Sequence, residues 1–229
     1  MNLSVIIPIY NEERTIGQII EKVLAVRLPE GVEKEIILVD DCSTDRTPEL
    51  LIPYKKLPHV RCFRHETNRG KTAALKTGFQ NATGDIYLIQ DADLEYSPEH
   101  YPALLAPILR GETAIVYGSR FKGNIRNIHW TNKYANVFSN FMFNRLYGTR
   151  LTDINTCFKV FRKEMLDGLS ITSEYFTFET EMTAKWVNRK RTILEVPIAY
   201  TARTRQEGKK ISWSKALNMF WGIFRFRKA

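Results

Sequence analysis

A chain of 229 residues with 44% hydrophobic content has room for one large domain and a sizeable core, which excludes disordered and fibrous classes. Its 34 Lys and Arg against 25 Asp and Glu leave a formal charge of +9, an excess that favours anionic partners: phosphorylated substrates, nucleic acid or a membrane surface. Three scattered cysteines, Cys42, Cys62 and Cys157, form no Cys-x-x-Cys pair, which excludes a disulfide framework and suits a reducing compartment.

The first half alternates short apolar runs with helical patterns. Leu3–Pro8 reads as a strand, and Thr15–Val26 as a helix with Ile16, Ile19, Ile20, Val23 and Leu24 on one face. Glu35–Asp40 is a second strand, followed by a short helix with Thr47 as N-cap and Pro48 in its first turn. Val60–Arg64 is a third strand, Lys71–Ala82 a helix and Ile86–Gln90 a fourth strand. Ser97 and Pro98 start a helix that runs to about Arg110 and stops at Gly111; Ala114–Tyr117 is a fifth strand. Such alternation predicts βαβ units, and the near-continuous apolar strands predict a mainly parallel sheet covered on both faces.

The second half is less regular. Gly118–Ile128 reads as a basic loop, Trp130–Tyr147 as an aromatic-rich helix, Cys157–Phe161 and Glu195–Ala199 as strands, with a helix over about Phe178–Asn188. No stretch reaches the ~18–20 apolar residues of a spanning helix. Met1–Tyr10 lacks the basic start of a signal peptide and contains Pro8, so membrane contact is expected to be peripheral.

Asp91-Ala92-Asp93-Leu94 directly follows the apolar run Ile86-Tyr87-Leu88-Ile89. Residues i and i+2 of an extended segment point the same way, so two carboxylates leave a buried strand on one side. Hard oxygen donors placed so suit Mg²⁺ or Mn²⁺ held together with substrate phosphates. Ligands of open α/β sheets gather at the carboxyl ends of strands. Each such end here carries polar residues: Pro8-Ile9-Tyr10-Asn11-Glu12, Asp40-Asp41-Cys42-Ser43-Thr44-Asp45, Asn68-Arg69-Gly70-Lys71, and Asp91 with Asp93. Turn formation explains one cluster well and four in register poorly. Dinucleotide and Walker glycine patterns are absent, so a nucleotide is held by acidic residues after the second strand and by Lys71 at a helix start. The four histidines, at 59, 65, 100 and 129, have no metal-ligand spacing.

Together these segments, with Asn68–Leu75, Gly84-Asp85 and Gly118-Ser119-Arg120-Phe121, resemble family 2 glycosyltransferases of the dolichol-phosphate mannose synthase type over residues 1 to about 214. The resemblance implies a GT-A fold: a Rossmann-like, mainly parallel central sheet with flanking helices, here followed by a C-terminal amphipathic helix. It implies that Pro8, Tyr10, Glu12, Asp40 and Asp41 hold the nucleoside, with Asn68, Lys71 and Ala92 in the same donor site. Asp91 and Asp93 handle metal and diphosphate, and Glu95 completes the metal shell. Asp153–Arg162 is similar to the Asp-x-x-Ser/Thr-Gly-Phe segment of polyprenyl-phosphate sugar synthases, with Cys157 in place of glycine. Glu207-Gly208-Lys209-Lys210-Ile211-Ser212-Trp213 resembles the basic region that closes over the diphosphate, which gives Lys209 a donor contact.

The implied reaction is an inverting, metal-dependent transfer of a hexose from a GDP-mannose or UDP-glucose type donor to a polyprenyl phosphate. A lipid monophosphate is already anionic at neutral pH and needs docking cations rather than a strong base. Arg120, Lys122, Arg126 and Lys133 are placed for that role, and Asp153 to orient the acceptor or a sugar hydroxyl. The alternative is a soluble family 2 enzyme acting on a saccharide hydroxyl, with Glu179 or Glu181 as base. A nucleic-acid module is disfavoured, since no such motif accompanies the basic charge. Two segments suit an anionic membrane surface at the cytoplasmic face: the stripe Val137, Phe138, Phe141, Met142, Leu146 and Tyr147, and the basic, aromatic residues 211–229 that follow a 1–210 catalytic domain.

Overall fold

The computed structural model describes residues 1–173, 177–203 and 220–228. In chain order the elements are β1 (Asn2–Ile9), α1 (Ile16–Ala25), β2 (Glu33–Asp40), α2 (Thr47–Leu50), β3 (Val60–Arg64), α3 (Lys71–Asn81), β4 (Ile86–Ile89), α4 (Tyr101–Leu109), β5 (Ile115–Arg126), α5 (Trp130–Tyr147), β6 (Lys159–Arg162), α6 (Phe178–Asn188) and β7 (Ile193–Thr201). The strands form one sheet in the order β3-β2-β1-β4-β6-β5-β7. β1, β2, β3 and β4 pair in parallel, as does β5 with β7, while β6 runs antiparallel to both β4 and β5.

The period of two along each strand divides the core between two faces. Leu3, Val5 and Ile7 of β1 pack with Ile16, Ile19, Ile20 and Val23 of α1 and with Leu104, Leu105 and Ile108 of α4. Ile6, Ile37, Val39 and Tyr87 pack on the opposite face with Ala74 and Leu75 of α3 and Met182 and Trp186 of α6. Each aliphatic side chain fully removed from water contributes about 1.5–3 kcal/mol before conformational entropy is set against it. A smaller third cluster joins Phe143, Leu151, Ile154 and Ala184 to Ile223 and Phe226.

Two local expectations are corrected. The stretch read as a basic loop after Tyr117 is strand as far as Arg126: Asn124, Ile125 and Arg126 pair with Ala199, Tyr200 and Thr201 of β7 after a register shift between Ser119 and Asn124. At that shift the two backbones nearly touch, since a Cβ on Gly123 would lie 1.9 Å from the Ile198 carbonyl oxygen. Thr47 is the first residue of α2 rather than its cap; Asp45 Oδ1 accepts from the Thr47 amide at 2.9 Å, and Thr47 Oγ1 accepts from the Glu12 amide at 3.0 Å. Ser97 starts its helix as expected, accepting from the Glu99 amide, although the first turn is 3-10. At the C-terminus residues 220–225 are helical; most of the expected amphipathic helix and the 210/211 boundary lie outside the described residues. Among the described residues no helix is long and apolar enough to cross a membrane.

Candidate active site

Register pairs Ile9 with Asp40, Asp40 with Arg64 and Ile6 with Ile89, so the polar clusters after β1 to β4 line one sheet edge. The turn after β4 is fixed from inside. Buried Gln90 donates to the carbonyls of Asp91 and Tyr96, and Tyr101 Oη donates to Gln90 Oε1 at 2.8 Å. Leu94 adopts φ +62°, a conformation that a branched side chain takes only where its surroundings enforce it. Ala92 turns its methyl into the core.

Asp91 and Asp93 each meet a cation from a distant element. Gly70, with φ +84°, turns the chain into α3 and sets Lys71 at its start. Lys71 Nζ lies 2.8 Å from Asp91 Oδ1 and 3.1 Å from Glu179 Oε1, and donates to Cys157 Sγ at 3.2 Å. Arg203 grips Glu12 with both terminal nitrogens at 2.9 and 3.1 Å, and its Nη2 lies 3.2 Å from Asp93 Oδ2. Burial works against charge on Lys71, yet Asp91 outweighs it and holds the ammonium well above its usual range. Burial likewise opposes ionisation of Asp91, but Lys71 holds that carboxyl below the usual range. Asp93 is pushed up to about 7 by burial and by the negative charges of Asp91 and Glu95, with Arg203 opposing.

Asp91 and Asp93 fit a divalent cation. They supply two hard oxygen donors, the number Mg²⁺ and Mn²⁺ take from protein when phosphates complete the shell, and the charge crowding at Asp93 is what such a cation relieves. Glu95, the expected third ligand, has both carboxylate oxygens engaged in hydrogen bonds. Its Oε2 accepts from Tyr200 Oη at 2.5 Å and its Oε1 from the Arg203 amide at 2.7 Å. Among the described residues no group of three His, Cys, Asp or Glu gathers as a metal site.

The expected nucleoside residues divide. Pro8 sits in β1, Tyr10 just beyond it is 41% exposed, and Glu12 faces Arg203. Asp40 is buried, accepts from the Ser43 amide at 2.9 Å and meets Arg64 Nε at 3.3 Å through Oδ2. Asp41, also expected at the nucleoside, braces the neighbouring loop. Its oxygens meet His65 Nδ1 at 2.7 Å and accept from the Arg69 and Gly70 amides at 2.9 and 2.7 Å, which shapes the loop that delivers Lys71. Asn68 Nδ2 donates to the Asp41 carbonyl at 3.3 Å in the same loop. Lys209 lies outside the described residues.

On the other side of β4 the expected acceptor residues are tied to one another. Arg120 is buried, and its Nε and Nη2 each donate to Asp153 at 2.7 Å while its amide donates to Asp153 Oδ2 at 3.0 Å. The guanidinium also stacks 5.1 Å from the Tyr200 ring centroid. Fully buried Asp153, expected to orient the acceptor or a sugar hydroxyl, holds Arg120 in this structure. Lys122 pairs with Glu195 at 3.3 Å, whereas Arg126 and Lys133 are exposed. Glu181 is buried and accepts from the Thr172 and Ser173 amides and from Lys185; despite its burial these bonds hold it down at about 2, far too low for a general base. Glu179 faces Lys71.

Arg203 is the site residue that sequence reasoning missed. Its one available signal is position: it stands two residues past a strand, β7, whose end lies beside Glu95.

The family model for glycosyl transferase family 2 matches residues 4–169, the span that holds both carboxylates of the β4 turn and the Arg120–Asp153 pair. The chain belongs to glycosyl transferase family 2. The chain is 31% identical over 226 residues to the undecaprenyl-phosphate 4-deoxy-4-formamido-L-arabinose transferase of Pectobacterium carotovorum, covering 97% of this chain and 66% of that one. It is 31% identical over 214 residues to the dolichol-phosphate mannosyltransferase of Pyrococcus furiosus, covering 91% and 59%. The chain thus spans 59–66% of the length of these curated relatives. Among solved structures, glucosyl-3-phosphoglycerate synthase from Mycobacterium tuberculosis, in complex with Mn²⁺, uridine diphosphate and glucosyl-3-phosphoglycerate, superposes with a TM-score of 0.76 at 20% identity, covering 98% of this chain and 79% of that one. That likeness establishes the GT-A fold of this family 2 chain.

Proposed function

We propose that the chain transfers a sugar from a nucleoside-diphosphate sugar to a polyprenyl phosphate, with inversion and with a divalent metal, at a membrane surface. The observation that carries the reading is the β4 turn, where Asp91 and Asp93 stand between Lys71 and Arg203 on the edge lined by Pro8, Tyr10, Glu12 and Asp40. Asp91 and Asp93 would hold Mg²⁺ or Mn²⁺, which would supply Lewis-acid neutralisation of the leaving diphosphate. Lys71 adds a fixed positive charge beside it, and as the first residue of α3 it lies where the helix macrodipole also favours anions. The named activities of the family 2 relatives, one on undecaprenyl phosphate and one on dolichol phosphate, support a lipid phosphate acceptor here. The state of Glu181 agrees with that reading: its carboxylate is consumed by hydrogen bonds, which removes one of the two bases a hydroxyl acceptor would call on, whereas a phosphate needs none.

A membrane surface is supported by the outer face of α5. Trp130 and Phe141 are 65% and 61% exposed, and Tyr134, Val137 and Phe138 are exposed between them. Phe138 meets Phe220 edge-on, which joins this face to the C-terminal segment, where Trp221 and Phe224 are exposed and Arg225 lies over the Trp221 ring. Exposed aromatics with basic residues suit an anionic bilayer interface.

The test incubates the protein with Mn²⁺, undecaprenyl or dolichyl phosphate and a panel of radiolabelled UDP- and GDP-sugars, then extracts into organic solvent. Label in the organic phase is the expected result. Label only in water-soluble saccharide would replace the lipid acceptor with a hydroxyl one. Phe141→Ser should lower co-sedimentation with anionic vesicles while the melting temperature is unchanged.

A further inference from the structure

Arg203 joins two parts of the donor edge that belong to different elements. Glu12 follows β1 and Asp93 follows β4, yet one guanidinium bonds both at 2.9–3.2 Å, while its own amide is held by Glu95 at 2.7 Å. Four carboxylates, Glu12, Asp91, Asp93 and Glu95, crowd this edge; Arg203 and Lys71 are the cations set among them. We propose that Arg203 is the internal cation that a metal–nucleotide pair displaces, so that free divalent metal binds weakly and enters together with the nucleoside diphosphate. The proposal rests on the reading that Asp91 and Asp93 take the metal.

The physical argument is one of competition. A metal ion arriving alone at Asp93 repels a guanidinium already bonded to that carboxylate and must either bind beside it or push it away. Pushing it away sacrifices the two-pronged bond to Glu12 as well, the stronger kind of charged hydrogen bond. A metal that arrives with a diphosphate alters the balance, because a planar guanidinium fork matches phosphate as well as carboxylate. Arg203 then exchanges one anion for another and loses little. Its Nε has no acceptor among the described residues, which leaves a further donor for a phosphate oxygen. Lys71 cannot make the same exchange at Asp93, since its ammonium is divided between Asp91 and Glu179.

The test measures free Mn²⁺ by electron paramagnetic resonance during titration of the protein without nucleotide, for the wild type, Arg203→Met, Arg203→Gln and Asp93→Asn. Removing the competing charge should tighten binding of Mn²⁺ alone by about tenfold or more in both Arg203 variants, a conservative figure for one unit charge at contact range in a partly solvated site. The glutamine variant keeps a hydrogen-bonding side chain should the methionine variant fail to fold. Affinity for UDP or GDP at saturating Mn²⁺ should fall in the same variants. Melting temperature in EDTA should also fall and be restored by Mn²⁺, since a ligand of the native state stabilises by mass action; a purely structural arginine would give a loss that Mn²⁺ does not repair. Unchanged or weaker Mn²⁺ affinity in both Arg203 variants, with Asp93→Asn abolishing binding, overturns the placeholder role and leaves the metal site standing. Equal Mn²⁺ binding by Asp93→Asn and wild type when UDP or GDP is added to the titration overturns the metal site and the placeholder role with it.

Discussion

At the donor edge Lys71 and Asp91 meet at 2.8 Å with side chains 25% and 16% exposed; beyond β4, Arg120 and Asp153 meet at 2.7 Å with side chains 8% and 0% exposed. The contact geometry is nearly the same, and the surroundings make the two pairs different devices. Lys71 and Asp91 are partly exposed, and Lys71 also reaches Glu179 and Cys157. Arg120 and Asp153 are enclosed, and Asp153 also holds the Arg120 amide, so side chain and backbone fix the pair together. The first half of the site is partly open with several partners in reach, and the second is enclosed in one arrangement.

The largest effect separating the two halves is expected at Asp153→Asn. It strands a buried guanidinium, and removing one member of a buried pair typically costs about 3–5 kcal/mol. Urea denaturation measures it, and a loss under about 1 kcal/mol would place this pair with the exchangeable ones. Next, Asp93→Asn should cost at least about a hundredfold in turnover, the scale of losing a preorganised charge-stabilising group. Its unfolding free energy should stay within about 1 kcal/mol of wild type, as for substitutions outside the core. A folded Asp93→Asn protein with near-normal rates would remove the metal from this turn.

A third test uses buried Lys159, whose ammonium donates to the carbonyls of Ile154 and Thr156 at 2.9 Å each and sits 3.8 Å from the Tyr117 ring centroid. Burial lowers its pKa to about 8 from 10.5. The unfolded chain therefore holds a proton between pH 8 and 10.5 that the folded chain has released. Stability contributed by this group must rise with pH across that window, by at most about 1.4 kcal/mol per pH unit. Lys159→Met should flatten the rise in a series of denaturation curves. The smallest effect is expected at Lys122→Ala. Its partner Glu195 is 3% exposed but Lys122 itself is 44% exposed, and Glu195 keeps the Thr152 and Asp153 amides and the Thr152 hydroxyl as donors. Less than about 1 kcal/mol should be lost, which would show that a contact on the rigid side becomes dispensable once it reaches solvent.

The donor edge was largely legible in the sequence because its signals are local. Apolar runs ending in Asp, Asn and Glu mark strand ends, and parallel pairing then aligns them, as Ile9 opposite Asp40 shows. What stayed hidden depends on partners far away in the chain. Nothing near Asp41 announces that the loop amides of Arg69 and Gly70 will consume its oxygens. Nothing near Arg120 announces Asp153, and a run of Lys, Gly, Asn and Arg after Tyr117 lacks the alternation that marks a strand. That stretch is strand because β7 supplies the ladder, an instance of tertiary pairing overriding composition. Arg203 was invisible for the same reason, as its three carboxylate contacts come from Glu12 and Asp93.

Gly123 carries a consequence for how this chain tolerates change. With the Ile198 carbonyl 1.9 Å from where a Cβ would stand, even alanine must pry β5 from β7. The neighbours Lys122 and Asn124 are exposed. A saturation library across residues 121–126 should therefore show broad acceptance at the exposed positions and one intolerant codon at Gly123. Insertions between Ser119 and Asn124 should be rejected as well, because that spacing decides whether Asn124, Ile125 and Arg126 arrive opposite Ala199, Tyr200 and Thr201.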